Sequence, residues 1–294
     1  MVLALLTVVL ITAVASRIFG LIDQGLERSI ALHDQSQARQ KVSEGLQLAR
    51  NILNEDMRNS TADHLGEAWA RPYFDRSGEA ALSLQITDAE ARINLNGLIQ
   101  GDTEQPESIQ RYQRLLLVLG LGGGEANRLL ASLLDWLDAD HQTRRGGMES
   151  EAYLAAGRQP PANGPLLHPG ELAMIDGYTP ERVAVIRPFL DVLPSAARLN
   201  INTAAPEVLA SVVPGLSLND ARWLVRERER AWFRDVPDFL ARLQSVPHSG
   251  DPQGVATSSR YFAVVARASV GVAQAEVSAL LERQIEGTRI VWQR

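Results

Sequence analysis

The densest run of side chains able to do chemistry is Asp135–Glu149, DWLDADHQTRRGGME. Carboxylates are hard oxygen donors, and Asp138, Asp140 and Glu149 take the first, third and twelfth places of a twelve-residue window, the spacing with which a loop wraps Ca²⁺. The likeness to an EF-hand stops there. The sixth place, which needs Gly for its sharp turn, is Thr143, and Arg144 and Arg145 set positive charge beside the ion. A calcium loop of another shape is predicted, with Gly146 and Gly147 supplying the turn and Asp135 or Glu151 adding ligands. Spacing alone does not separate this from a solvated helix end whose acids pair with the two arginines.

A second constellation spans residues 199–243, which are ordered as helix-hairpin-helix units: a helix, a hairpin at Pro214-Gly215, and a second helix with Ala221 and Val225 facing inward. Such hairpins can hold DNA phosphates on backbone N–H groups. Here Ser217 replaces the second hairpin glycine and the chain carries a net charge of -6, so a packed helical module without nucleic acid is the stronger reading. Gly120–Gly124 lacks the spacing of a dinucleotide loop and reads as a helix-helix turn. The histidines lack zinc-ligand spacing, and no Ser or Cys stands in a nucleophile context, so neither an enzyme nor a tethered hydrolase is expected.

Several elements position these groups. Apolar residues at helical period predict short helices over 107–119, 125–137, 169–175, 180–190, 206–213, 218–230 and 236–243, several with Pro in the first turn. Before them, residues 63–75 read as an irregular connection, and alternation over 82–87 and 93–96 predicts a hairpin turning near 88–91. After them, period two returns over 261–269, 275–284 and 289–293. Each strand set is too small to stand alone, which predicts an α+β fold with the helices inserted within a sheet-forming domain.

Met1–Ser16 carries no charged side chain, and Ile18, Phe19, Leu21 and Ile22 extend the apolar run around Arg17 toward the ~20 residues that cross a bilayer. Ala38, Val42, Leu46, Ala49, Leu53 and Met57 continue at helical steps, so one rod is predicted, half in lipid and half on a soluble domain. No Lys or Arg precedes Val2 and the pattern passes through any cleavage zone, which favours an anchor over a secretory signal. Met1 fits both an initiator and a mature N-terminus freed from a charged leader. The 294 residues leave room for two modest cores, and with no cysteine these rest on packing or metal.

His64–Ala70 (HLGEAWA), Arg92–Asn96 (RINLN), Asp135–Asp140 with Gly147, Glu149 and Tyr153, Leu199–Ala204 (LNINTA) and Arg260-Tyr261-Phe262, taken with the apolar N-terminal helix, resemble the K-type minor pseudopilins of bacterial type II secretion systems. The resemblance implies a pseudopilin fold, a long N-terminal helix plus antiparallel sheet with a large all-α domain inserted between strands. Its parts here are a membrane segment at 1–22, helix to 60, pseudopilin domain at 61–104 and 255–294, and insert at 105–254. It also implies a precursor cleaved by prepilin peptidase, with methylation, at Met1. The anchor would lie in the inner membrane and the soluble domain in the periplasm. The partners implied are I-type and J-type minor pseudopilins in a tip complex above the major pseudopilin fibre. Calcium in the α-domain is implied on Asp138, Asp140 and Glu149, and less directly on Asp135 and Glu151. Ser150 departs from the family's Gly-Ala-Glu-Asp pattern, which removes that ligand position. Most pseudopilins carry Glu at mature position five, where it neutralises a neighbour's N-terminal amine in lipid. Leu5 stands there in this chain, as suits a subunit with nothing above it.

Overall fold

The structure, a computed structural model, describes every residue except Glu79 and Ser195. Helix α1 runs unbroken over Val2–Asn59. Its 58 residues span about 87 Å at 1.5 Å each. Leu5, Leu10, Phe19, Ile22, Leu26 and Leu32 stand exposed along its first half, whereas Ala38, Val42, Leu46, Ala49 and Leu53 are buried. The buried stripe ends at Leu53; Met57 is exposed.

That stripe packs on one sheet of five strands: β1 (Tyr73–Ser77), β2 (Ala80–Asp88), β3 (Tyr261–Val270), β4 (Ala273–Gln284) and β5 (Gly287–Gln293). All neighbours are antiparallel and follow chain order. Leu82, Leu84, Ile86, Val264, Ala266 and Leu281 face the helix, as period-two alternation requires. At Gly45 the helix comes so close that an added Cβ would lie 3.0 Å from Leu82 Cδ1 and 3.3 Å from Ala266 Cβ.

Between Asp88 and Tyr261 the chain leaves the sheet and builds a helical insert with one continuous core from Ile93 to Val255. Its helices are α2 (Pro106–Val118), α3 (Gly123–Leu137), α4 (Ser150–Ala155), α5 (Pro180–Ile186), α6 (Pro206–Val212), α7 (Leu218–Arg230) and α8 (Val236–Leu243). Caps set several starts: Thr179 accepts from Arg182 N, Ser217 from Asp220 N and Asp235 from Asp238 N. Pro188 stops α5 early, so the predicted 180–190 helix finishes as a 3₁₀ turn, and 169–174 is likewise 3₁₀.

Three expectations need correction. Residues 73–77 form the edge strand β1, hidden from a burial pattern because Phe74 is exposed. Residues 82–87 and 93–96 do not form a hairpin: Asp88 accepts from Glu90 N to start a 3₁₀ turn, and Ile93–Asn94 pairs in parallel with Leu190–Asp191. Ile93 and Leu95 alternate because they enter the helical core. The edge of the insert therefore moves from 104/105 to 88/89.

The insert also repeats itself. The α2–α3 hairpin turns at Gly120 (φ +88°) and the α6–α7 hairpin at Gly215 (φ +75°), both in the left-handed region that glycine favours. Ala126 and Leu129 on α3 match Ala221 and Leu224 on α7 in spacing and burial, and α2 packs on α6. Ahead of each hairpin lies an Asn-rich segment: Asn94 and Asn96 in the first, Asn200 and Asn202 in the second.

These asparagines hold the insert to the sheet and to itself. Asn200, fully buried, shares its two Nδ2 hydrogens among Asp63 O (3.1 Å), Asp88 Oδ2 (2.9 Å) and Ser259 Oγ (2.9 Å), and accepts from Asn202 N (2.9 Å). Asp88 Oδ2 also accepts from Thr203 Oγ1 (2.6 Å) and Ser259 Oγ (2.7 Å). Asn202 exchanges two hydrogen bonds with the backbone of Phe233, and Asn96 ties Leu166 to Leu193. Beside them Glu90 accepts from the backbone amides of Arg260 and Tyr261. Burial pushes the Asp88 carboxyl up to about 6 and, with the Asp88 charge, that of Glu90 to about 7.

Candidate metal centre

The last turn of α3 and the first residues of α4 bring the acidic loop together. Asp135 is fully buried on α3, Asp138 caps the C-terminus of α3, and Glu149 caps the N-terminus of α4. Trp136 and Tyr153 meet edge-on at 5.8 Å and fasten the two helices. Tyr153 Oη accepts from Asp176 N (2.8 Å), which fixes the ring. Gly147 makes the close return possible: an added Cβ would collide with Asp135 Oδ2 and lie 3.1 Å from Ala131 O.

Asp138, Asp140 and Glu149 each offer a carboxylate oxygen within 4.8 Å of the others. Asp138 Oδ1 and Glu149 Oε1 are buried with no hydrogen-bond partner. Leaving a buried carboxylate oxygen unsatisfied is costly, so two of them beside a third acid fit a cation site. Burial drives the pKa of Asp138 up, against the opposing effect of Arg144, and drives that of Glu149 up against the Ser150 amide. An all-oxygen donor set with no thiolate suits Ca²⁺ rather than a softer ion.

The remaining predicted residues take other places. Asp135 lies behind the cluster, where it accepts from Arg144 N and, at 2.8 Å, from Arg144 Nη1. Glu151 is exposed on the first turn of α4, outside the group. Arg144 also reaches Asp138 Oδ2 and Glu104, while Arg145 is exposed. Asn163, absent from the sequence reading, joins from a separate loop: its Nδ2 donates to Asp140 O (2.8 Å) and its Oδ1 is buried without a partner. Its left-handed φ of +48° places it there, a conformation that Asn tolerates better than most residues.

A second carboxylate group, Asp56, Asp63 and Glu67, is already satisfied. Arg283 pairs with Asp56 at 2.7 Å and also with Asp63, while Glu67 accepts from His64 N and Trp69 Nε1. The Pro214-Gly215 hairpin is covered rather than open to phosphate: Ser249 N donates to Pro214 O (2.8 Å), and an added Cβ at Gly215 would lie 2.5 Å from Ser249 Oγ. At the far N-terminus Leu5 N donates to Met1 O at 3.1 Å, both side chains are exposed, and the first turn carries no acid.

The family models for type II secretion system protein K match residues 91–195 and 199–258, together more than half of the chain. The protein K of Pseudomonas aeruginosa is 32% identical over 306 residues, covering 97% of this chain and 89% of that relative. This chain belongs to the type II secretion system protein K family. The Klebsiella pneumoniae protein K is 32% identical over 256 residues, covering 81% of this chain and 77% of its own length. The crystal structure of the GspK-GspI-GspJ complex from the enterotoxigenic Escherichia coli type 2 secretion system shares the fold, with a TM-score of 0.81 at 24% identity over 91% of this chain and 98% of that one. The protein is thus a type II secretion pseudopilin, and its N-terminal helix is long and apolar enough to serve as a single-pass anchor. Nothing in these likenesses supports the DNA-binding reading of residues 199–243.

Proposed function

We propose that this protein K caps the tip of the type II secretion pseudopilus together with I-type and J-type minor pseudopilins, with its anchor in the inner membrane and its soluble domain in the periplasm. One observation carries the reading: the insert grows from the end of the sheet opposite the exposed half of α1. Ala38 packs by Val270 and Ala273 at one end of the sheet, while Asp56 meets Arg283 at the other, where Asp88 and Tyr261 open into the insert. A subunit stacked above would have to occupy the volume of residues 89–260. Leu5 agrees, because a topmost subunit has no neighbouring amine to neutralise. Processing and methylation by prepilin peptidase and a fibre of major pseudopilin below complete the assignment. Co-purification of the full-length chain in detergent with its I-type and J-type partners is the test, alongside secretion in a deletion strain. Failure to recover either partner, with secretion intact, overturns it.

Calcium belongs to the same proposal, held by Asp138, Asp140 and Glu149. When bound it would neutralise charges that the insert otherwise buries close together, and its role is structural. Saturating Ca²⁺ at about 100 times Kd adds about 2.7 kcal/mol to a native state that binds it. The full-length chain is expected to melt several degrees higher in Ca²⁺ than in EGTA. The same shift in the Asp138→Ala, Glu149→Ala double variant would exclude these ligands.

A further inference from the structure

Arg144 stands where the acidic loop is most crowded. Its guanidinium bonds Asp135 Oδ1 at 2.8 Å and also Asp138 Oδ2, while Nη2 holds Glu104 Oε1 at 2.7 Å. Asp135 is wholly buried and Asp138 nearly so, whereas Arg144 and Glu104 are partly open to solvent. A buried carboxylate with no cation is strongly destabilising, so two such groups bonded to one guanidinium depend on it. Yet the same guanidinium occupies one oxygen of a calcium ligand. Asp138 Oδ1 stays unpartnered while its Oδ2 is taken.

We propose that Arg144 is the resident counter-cation of the calcium loop: it lets the loop fold before the ion arrives and yields Asp138 Oδ2 as the ion loads. The inference rests on the calcium reading above. Arg144 has somewhere to go, because Glu104, on the exposed Thr103–Glu104 strand, holds the far side of the guanidinium through Nε (3.2 Å) and Nη2. A calcium ion takes six to eight oxygens, and a second oxygen from Asp138 becomes available only when Nη1 withdraws. The two cations therefore oppose each other at one carboxylate, and each weakens the hold of the other. Linkage makes this reciprocal: calcium weakens the pairing of Arg144 by the factor by which that pairing weakens calcium, so removing Arg144 tightens calcium binding by up to that factor. The sequence pattern points the opposite way, since two arginines in the window count against an ion when only spacing is visible.

The test compares full-length wild type, Arg144→Gln and Arg145→Gln in detergent, measuring melting in EGTA and in Ca²⁺ and the Kd for Ca²⁺ by calorimetry. Arg144→Gln is expected to melt well below wild type in EGTA, to regain most of that loss in Ca²⁺, and to bind Ca²⁺ about tenfold more tightly. Arg145→Gln, which removes an exposed charge from the same window, is expected to bind as wild type does. If wild type shows no calcium shift, the calcium reading itself fails. If wild type shifts but Arg144→Gln binds equally or more weakly, or Arg145→Gln tightens binding as much, the role given to Arg144 is overturned. Should Arg144→Gln fail to fold under either condition, Arg144→Lys decides. A Lys ammonium cannot span Asp135, Asp138 and Glu104 together, so tighter calcium binding than wild type supports the exchange, and equal or weaker binding ends it.

Discussion

Asn200→Ala is expected to lower the melting temperature by roughly 10 °C, reflecting a loss of about 3–5 kcal/mol. The side chain is fully buried and touches four partners: its two Nδ2 hydrogens are shared among Asp63 O, Asp88 Oδ2 and Ser259 Oγ, and its Oδ1 accepts from Asn202 N. Truncation leaves the Asn202 amide and the Asp63 carbonyl without that partner in a space closed to water, each costing about 1–3 kcal/mol. It also strips a donor from Asp88. The sign with pH follows from that last loss. Burial already raises the Asp88 carboxyl to about 6, above its ordinary value, so its ionisation opposes folding. The stability associated with Asp88 is full at pH values below the ordinary carboxylate range and is lost as pH rises through about 6. Removing a donor that favours the charged form raises the carboxyl further, so the deficit of Asn200→Ala should be larger at pH 7.5 than at pH 5. Melting curves of the two proteins in EGTA at both pH values test this. A deficit under about 1 kcal/mol, or one that grows on acidification, would show that Asn200 does not hold the seam between sheet and insert.

Sequence alone made the longer helices of the insert legible because their signals are local, whereas the six-residue α4 carries too short a period to be read. Both α7 and α8 occupy the spans that their apolar period predicts, and in the structure Ser217 and Asp235 cap them. The long strands β3 and β4 were legible for the same reason, through alternation over many residues. The two Asn-rich segments were not. Their alternation of apolar and polar residues is the mark of a half-buried strand, but the polar residues point at backbone groups 31 to 137 positions away. Nothing local announces such a partner. The carboxylate cluster proposed to hold calcium was partly legible on the same principle: Asp138, Asp140 and Glu149 share one loop and one window and lie together in the fold, whereas Asn163 arrives from another loop and carries no motif. Asp135 has the right residue type and stands one helical turn away, yet it faces Arg144 rather than the cluster. Residue type and spacing identified the loop; only the fold decides which oxygen is spoken for.

Arg283→Met should have an effect of similar size by a different route. The side chain is buried between α1 and the sheet, pairing with Asp56 at 2.7 Å and with Asp63, donating to Ser259 O at 2.8 Å and lying 4.8 Å from the centre of the Phe262 ring. Methionine fills much of the volume but leaves Asp63 as a buried charge without a cation, which costs about 3–5 kcal/mol. Asp56 suffers too: burial pushes its carboxyl up to about 7 although Arg283 opposes the rise, so losing the guanidinium drives it higher. The end of α1 beyond the Asn54–Thr288 hydrogen bonds is then expected to detach first, because Asp56 and Asp63 both lose the guanidinium that ties them to the sheet. Limited proteolysis near residues 57–62 should accelerate in the variant while cleavage elsewhere stays slow. The double variant Arg283→Met with Asp63→Asn separates a lost ion pair from lost packing. A neutral amide in place of the Asp63 carboxylate removes the uncompensated charge, so the double variant should recover at least about half of the stability lost in the single one. If the two substitutions are merely additive, the charge on Asp63 is not what Arg283 answers. The α1–sheet joint would then depend on the Phe262 contact and the apolar stripe that ends at Leu53.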